Sequence, residues 1–227
     1  MKNKNVLVIA AHPDDELLGC GGTVARLVAE RRNVYACILS KGIASRHENP
    51  DDSGCRREKA ELDTQMRSAA RLIGTKGLFV EDFPDNSFDS VPLIRIVKAI
   101  EKVLREIKPE IVFTHFEEDL NIDHQIAYRA TITAARPLKE SPTMRIYSYE
   151  TVSSTEWAYP TSFSPNVFFD ITKTIDKKLK ALAKYGSEMR KGPHPRSLEH
   201  IRKNAEVWGA KIGVEAAEAF YCVREVI

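Results

Sequence analysis

Cysteine is scarce in this chain, and what there is forms no C-x-x-C pair: Cys20, Cys37, Cys55 and Cys222 stand far apart. That spacing excludes a disulfide-stapled scaffold and a thiolate zinc ribbon. Cys37 and Cys222 fall in apolar strand-like runs, where a reduced, buried thiol is the usual occupant. An excess of charge of one sign is missing too. The 34 Lys and Arg against 32 Asp and Glu leave a formal charge of +2, so nothing electrostatic favours a nucleic-acid or membrane partner. The basic clusters Arg56-Arg57 and Lys177-Lys178 with Lys180 have acidic neighbours and read as solvated helix faces.

Long apolar runs are also lacking. None approaches the ~20 residues that span a bilayer. Lys2 and Lys4 precede the apolar run 6–11, but His12-Pro13-Asp14-Asp15-Glu16 cuts it off well short of an export segment. No repeat, low-complexity tract or linker interrupts the 227 residues. The expectation is therefore one domain over residues 1–227, working in the cytoplasm on a small molecule. A homo-oligomer is compatible with everything in the sequence and is not specified by it.

What is present is a 43% hydrophobic share, arranged as short β-rich runs alternating with helix-period segments. Strands are predicted over 6–11, 34–39, 78–83, 111–115, 145–149, 167–171 and 220–226. Helices are predicted over 16–31, 55–73, 91–107, 123–135, 173–188 and 197–212. In the third helix Ile94, Val97, Ile100, Val103, Leu104 and Ile107 make one apolar stripe, and Pro109 closes it. Four β-then-α units in succession imply an α/β fold: a three-layer α/β/α, Rossmann-like arrangement with a mostly parallel sheet. Chemistry in such sheets gathers beyond the carboxyl ends of the strands.

Two motifs sit at such ends. In Ala11-His12-Pro13-Asp14-Asp15-Glu16, Pro13 keeps His12 extended and opens the helix, so Asp14 and Asp15 occupy the first turn. One imidazole and one carboxylate, His12 and Asp15, make half of a zinc site. Asp14 alongside is placed to act on a metal's water. Acidic residues in a first turn also complement the helix dipole, which is explanation enough for Glu16. The second motif is Asn121-Ile122-Asp123-His124, after the strand that ends in His115. His124 then supplies a third ligand, giving His–Asp–His with an open position for water. Asp123 is either a helix cap or the group that orients His124. His115 is a candidate lining residue. Gly19, Gly21 and Gly22 come too late for a phosphate-binding turn and read as close-packing positions, against a nucleotide-binding module.

A strand ending in A-H-P-D-D-E with a distal D-H opening a helix resembles the LmbE/PIG-L family of zinc-dependent N-acetylglucosaminyl deacetylases. Leu39-Ser40-Lys41-Gly42 and Leu72-Ile73-Gly74 extend the likeness. The resemblance implies zinc on His12, Asp15 and His124, one ion per chain, with Asp14 as general base. It implies a substrate whose N-acetylglucosamine is carried by inositol, malate, lipid or oligosaccharide. It reaches members tied to bacterial surface polysaccharides, and so to a nucleotide- or lipid-linked sugar. The family's second motif often reads H-P-D-H, and its first histidine polarises the carbonyl. Asn121 stands there in this chain, so the expectation is an amide donor to the oxyanion. The leaving amine takes its proton from Asp14 or from His194. Trp157, in the segment from Tyr149 through Tyr159, is a candidate sugar-stacking residue. Arg46 and Arg196 are candidate phosphate contacts. Three other readings stay open: a two-metal phosphoesterase, a catalytically idle sugar binder, and iron(II) in place of zinc, which the same donor set suits.

Overall fold

The computed structural model describes residues 4–49, 52–137 and 144–226; Lys2 lies outside them. A seven-stranded sheet is built from β1 (Asn5–Ala10), β2 (Asn33–Ser40), β3 (Gly77–Phe83), β4 (Ile111–His115), β5 (Arg145–Tyr149), β6 (Val167–Asp170) and β7 (Ala217–Arg224). Their order is β3-β2-β1-β4-β5-β7-β6. The first five run parallel, and β7 enters antiparallel to both β5 and β6.

β1 shows why the sheet lies between two helical layers. Side chains alternate faces along a strand. Val6, Val8 and Ala10 enter one core with residues of α1 (Asp15–Ala29) and α2 (Ser53–Ile73). Leu7, Ile9 and Ala11 enter the opposite core with α3 (Leu93–Ile107) and α4 (Ile122–Ala134). Both faces are dry, so the strand reads as a continuous apolar run. α5 (Ile175–Leu182) and α6 (Leu198–Ala210) complete the helices, with α5 packed on α1 and α2.

Three details depart from the sequence reading. Ile94 is 56% exposed, while Ile96 is fully buried. At about 100° per residue, Ile94 lies roughly 120° round the helix from Ile100 and so off its buried stripe. α5 stops at Leu182 rather than running to residue 188. Beyond it the backbone tightens into i→i+3 bonds, Lys184 N–H to Ala181 O and Tyr185 N–H to Leu182 O. That turn brings Tyr185 and Glu188 into buried positions. Lys178 is not on a solvated face. It is 3% exposed, and its ammonium donates to Glu218 Oε1 at 2.7 Å and to Leu18 O at 2.8 Å.

The glycines of α1 act as packing positions. A Cβ on Gly19 would meet the Tyr149 ring at 2.1 Å, and one on Gly22 would meet Ile171 at 2.6 Å. The strand order reverses between β1 and β4. A crevice opens at such a switch point, beyond the carboxyl ends of the two strands. His12 follows β1, and the loop from Phe116 to Asn121 follows β4.

Candidate metal centre

The turn after β1 is tight. Asp14 takes a left-handed backbone at φ 99°, a conformation that costs a non-glycine residue energy. It is pinned there by its own N–H, which donates to Glu16 Oε2 at 3.0 Å. Glu16 is held in turn by the Tyr185 hydroxyl, 2.6 Å from Oε1. First-turn charge therefore understates Glu16, which braces the turn between β1 and α1.

His12, Asp15 and His124 each present a ligand atom, all within 4.8 Å of one another. Asp15 Oδ2 lies 3.4 Å from His12 Nδ1 and 3.3 Å from His124 Nε2. Ligands bonded at about 2.0–2.1 Å around a tetrahedral ion stand about 3.3–3.4 Å apart, so these two edges fit. Asp15 Oδ1 adds a second mark: it is buried with no hydrogen-bond partner, which costs free energy unless something binds there.

Each imidazole is backed by a carboxylate. His12 Nε2 is 3.0 Å from Asp123 Oδ2, whose other oxygen accepts the Phe88 N–H at 2.9 Å. His124 Nδ1 is 3.1 Å from Asp119 Oδ1. Asp119 accepts from Ser154 and Thr155, and from the Asn121 N–H at 2.9 Å. The His12–Asp123 bond fixes the tautomer that leaves Nδ1 free for a metal, whereas Asp119 meets His124 Nδ1 at ion-pair distance without hydrogen-bond geometry. Asp123 thus stands behind His12 rather than His124, and it is Asn121 whose Oδ1 caps α4.

Electrostatics follow from this packing. Burial opposes charge on His12, yet Asp123 and Asp15 outweigh it and lift the ring from the usual 6.5 to about 10. His124 rises to about 9, burial again being overcome by Asp15 and Asp119. Burial would raise Asp15, but His124 and His12 hold its carboxyl well below the usual range. For Asp14 burial wins. Its carboxyl sits well above the ordinary value although Arg196 opposes the shift.

Asp14, His12 and His124 border one cavity with Ser45, Arg46, Asp85, Asn86, Asn121, Ser153, Ser154, Glu188 and Arg196. Asp14 Oδ2 receives the Arg196 guanidinium at 3.0 Å. Asn121 gives one amide hydrogen to Asn86 Oδ1 at 2.9 Å. His115 does not line the cavity. It is fully buried, and its Nε2 accepts the Ala11 N–H at 2.9 Å. Its ring stacks flat against His124 with centroids 3.9 Å apart. Burial and the neighbouring His124 push it well below 6.5, so it is a neutral floor for His124, not a substrate contact. Trp157 and His194 face each other edge-on at 6.2 Å, and neither is among the lining residues. His194 Nδ1 accepts the Arg196 N–H at 3.0 Å.

The family model described as PIG-L, GlcNAc-PI de-N-acetylase, matches residues 7–135, more than half of the chain and both motifs. The chain belongs to the PIG-L family. The uncharacterized deacetylase YaiS of Escherichia coli is 30% identical, over 82% of this chain and 92% of its own. The structure of a conserved protein from Thermus thermophilus superposes with a TM-score of 0.78 at 28% identity, covering 98% of this chain and 96% of that one. The N,N'-diacetylchitobiose deacetylase of Pyrococcus horikoshii superposes with a TM-score of 0.76 at 25% identity, covering 96% and 82%.

Sequence reasoning missed Asp85, Asp119, Glu188 and the bracing role of Glu16. Asp119 had a local signal, a third acid after Glu117-Glu118 two residues before the second motif. Glu188 had none, because it reaches the cavity only through the early end of α5.

Proposed function

We propose that this chain is a metal-dependent hydrolase, with zinc as its ion, that removes the N-acetyl group from an N-acetylglucosamine-type amino sugar. One observation carries the reading: His12, Asp15 and His124 present ligand atoms within 4.8 Å of one another, with His12, His124 and Asp14 opening on the same cavity. Family membership adds the reaction class, since the Escherichia coli and Pyrococcus relatives are named as deacetylases.

His12 through Nδ1, Asp15 and His124 through Nε2 would hold the ion. When bound it supplies a Lewis acid for the acetamide carbonyl and acidifies a water. Asp14 takes the proton from the attacking water, and burial, by raising its pKa, makes it hold that proton more firmly than an exposed carboxylate would. The acetamide C–N bond then breaks. Asp14 returns the proton to the leaving amine, and acetate is the second product. Arg196 keeps the Asp14 carboxylate aimed through both exchanges. Asn121, with one amide hydrogen spent on Asn86, has a second to offer the developing oxyanion. His194, outside the cavity lining, is less well placed than Asp14 to protonate the amine.

A two-metal phosphoesterase fits less well. Among the described residues His12, Asp15 and His124 form a single cluster with metal spacing, and Asp119 and Asp123 are committed behind the histidines. The free, mostly buried cysteines suit a reducing cytoplasm. No helix among the described residues is long and apolar enough to cross a membrane.

The test is primary-amine release from N-acetylglucosamine and N,N'-diacetylchitobiose, with metal content measured on the same sample. One zinc per chain and turnover are expected. Asp14→Asn should cut turnover by roughly 10²–10⁴-fold while retaining the metal. Full activity in that variant removes Asp14 as the base, and no activity in the wild type leaves an idle binder.

A further inference from the structure

The cavity contains two guanidiniums, and both are already occupied by this chain's own carboxylates. Arg46 Nη2 lies 2.6 Å from Glu188 Oε2. Arg196 Nη1 lies 3.5 Å from that same oxygen and 3.0 Å from Asp14 Oδ2, while its Nε donates to Ser153 Oγ at 2.7 Å. The Glu188 side chain is 4% exposed, whereas that of Arg46 is 44% exposed. No lysine lines the cavity, and Arg46 and Arg196 are its only arginines among the described residues. The remaining polar lining is hydroxyl, amide and the acidic Asp85, apart from the metal-centre residues.

We infer that Glu188, by holding Arg46 and Arg196, makes this cavity select uncharged N-acetylated sugars and reject phosphoryl-linked ones; the inference rests on the deacetylase reading and names its substrate class. A phosphate offers acceptors and negative charge only. A phosphate that takes the Arg46 Nη2 donor must displace Glu188 from its 2.6 Å contact. The buried Glu188 would then keep only the longer 3.5 Å approach to Arg196, a costly exchange. Asp85 and Asp14 add to the repulsion. A sugar hydroxyl both donates and accepts, so it bridges a guanidinium and its carboxylate without breaking them apart. Rejecting the charged competitor in this way is as effective as improving contacts to the neutral substrate. Glu188 and Arg196 lie beyond residues 7–135, the stretch that matches the family model. Arg46 lies inside that stretch, so the selecting set joins the family-matched part of the chain to the part beyond it. On this inference the arginines hold a sugar hydroxyl in place of the phosphate expected from sequence.

Two measurements on the metal-loaded protein test this. In amine release, the wild type should favour N,N'-diacetylchitobiose over N-acetylglucosamine 1-phosphate at least tenfold in kcat/KM. Glu188→Gln should shift that ratio at least tenfold toward the phosphate, chiefly through KM. In calorimetric titration with inorganic phosphate, Glu188→Gln should bind at least tenfold more tightly than wild type. Adding Arg46→Ala should abolish the gain. A wild type that prefers the phosphorylated sugar overturns the inference even if the variant fails to fold. So does a Glu188→Gln protein with unchanged ratio and unchanged phosphate affinity. If the wild type releases no amine from any sugar, the deacetylase reading fails, and the phosphate titration still decides what Glu188 does.

Discussion

His12 and His124 show what a metal must displace. In the metal-free protein they titrate near about 10 and about 9, so both rings carry protons at neutral pH, paired with Asp15, Asp123 and Asp119. Because these values are raised above 6.5, their contribution to stability is full below about pH 6.5. It is lost as pH climbs through about 9 to 10. A divalent ion needs the ligand nitrogens bare. Its apparent affinity should therefore rise with pH across that window, with up to two protons released per ion bound. Zinc titrations at pH 7.5, run in buffers of differing ionisation enthalpy, measure the protons directly. Binding without proton release contradicts histidines backed by carboxylates. The candidate ligands were legible in sequence because His-Pro-Asp-Asp and Asp-His are local strings at strand ends. The residues behind them were not, since Asp123 crosses to His12 and leaves its chain neighbour His124 to Asp119.

At the scale of elements, α3 separates pattern from packing. Ile100 faces the sheet and is fully buried, while Ile94 stands in solvent. Ile100→Ala should cost ~2–5 kcal/mol, and Ile94→Ala should stay within ~0.5 kcal/mol. Urea unfolding of both variants checks the contrast, and equal losses would place Ile94 in a contact absent from this structure. Six helices and seven strands were readable because each carries its own periodicity. The early end of α5 was not, because the turn over residues 183–188 answers to Glu16 and the arginines across the cavity. Locally, only Gly186 and Ser187 weaken the helical pattern there.

The whole molecule is joined across α1, α5 and β7 by one buried ion pair. Glu218 accepts the N–H groups of Gly22 and Thr23 at 2.8 and 2.6 Å, and Lys178 closes the set. Those amides are free because α1 departs from helical geometry at Cys20. Lys178→Ala should cost ~3–5 kcal/mol, since it leaves Glu218 charged and buried without a cation. Thermal unfolding should show the loss. A Glu218→Gln change made in that background should recover part of it, and no recovery would mean that packing alone sets the value.

Local sequence encodes the alternation of strands and helices, the three candidate metal ligands and the candidate base, each within a few neighbouring residues. The strand order that brings His12 to His124 was decided by tertiary structure, as were the reversed β7, the pairing of Asp123 with His12 and the capture of Arg46 and Arg196 by Glu188. The reason is physical. Periodicity and short motifs report the backbone within a turn or two, whereas a buried carboxylate is partnered by whatever charge the packed layers carry to it.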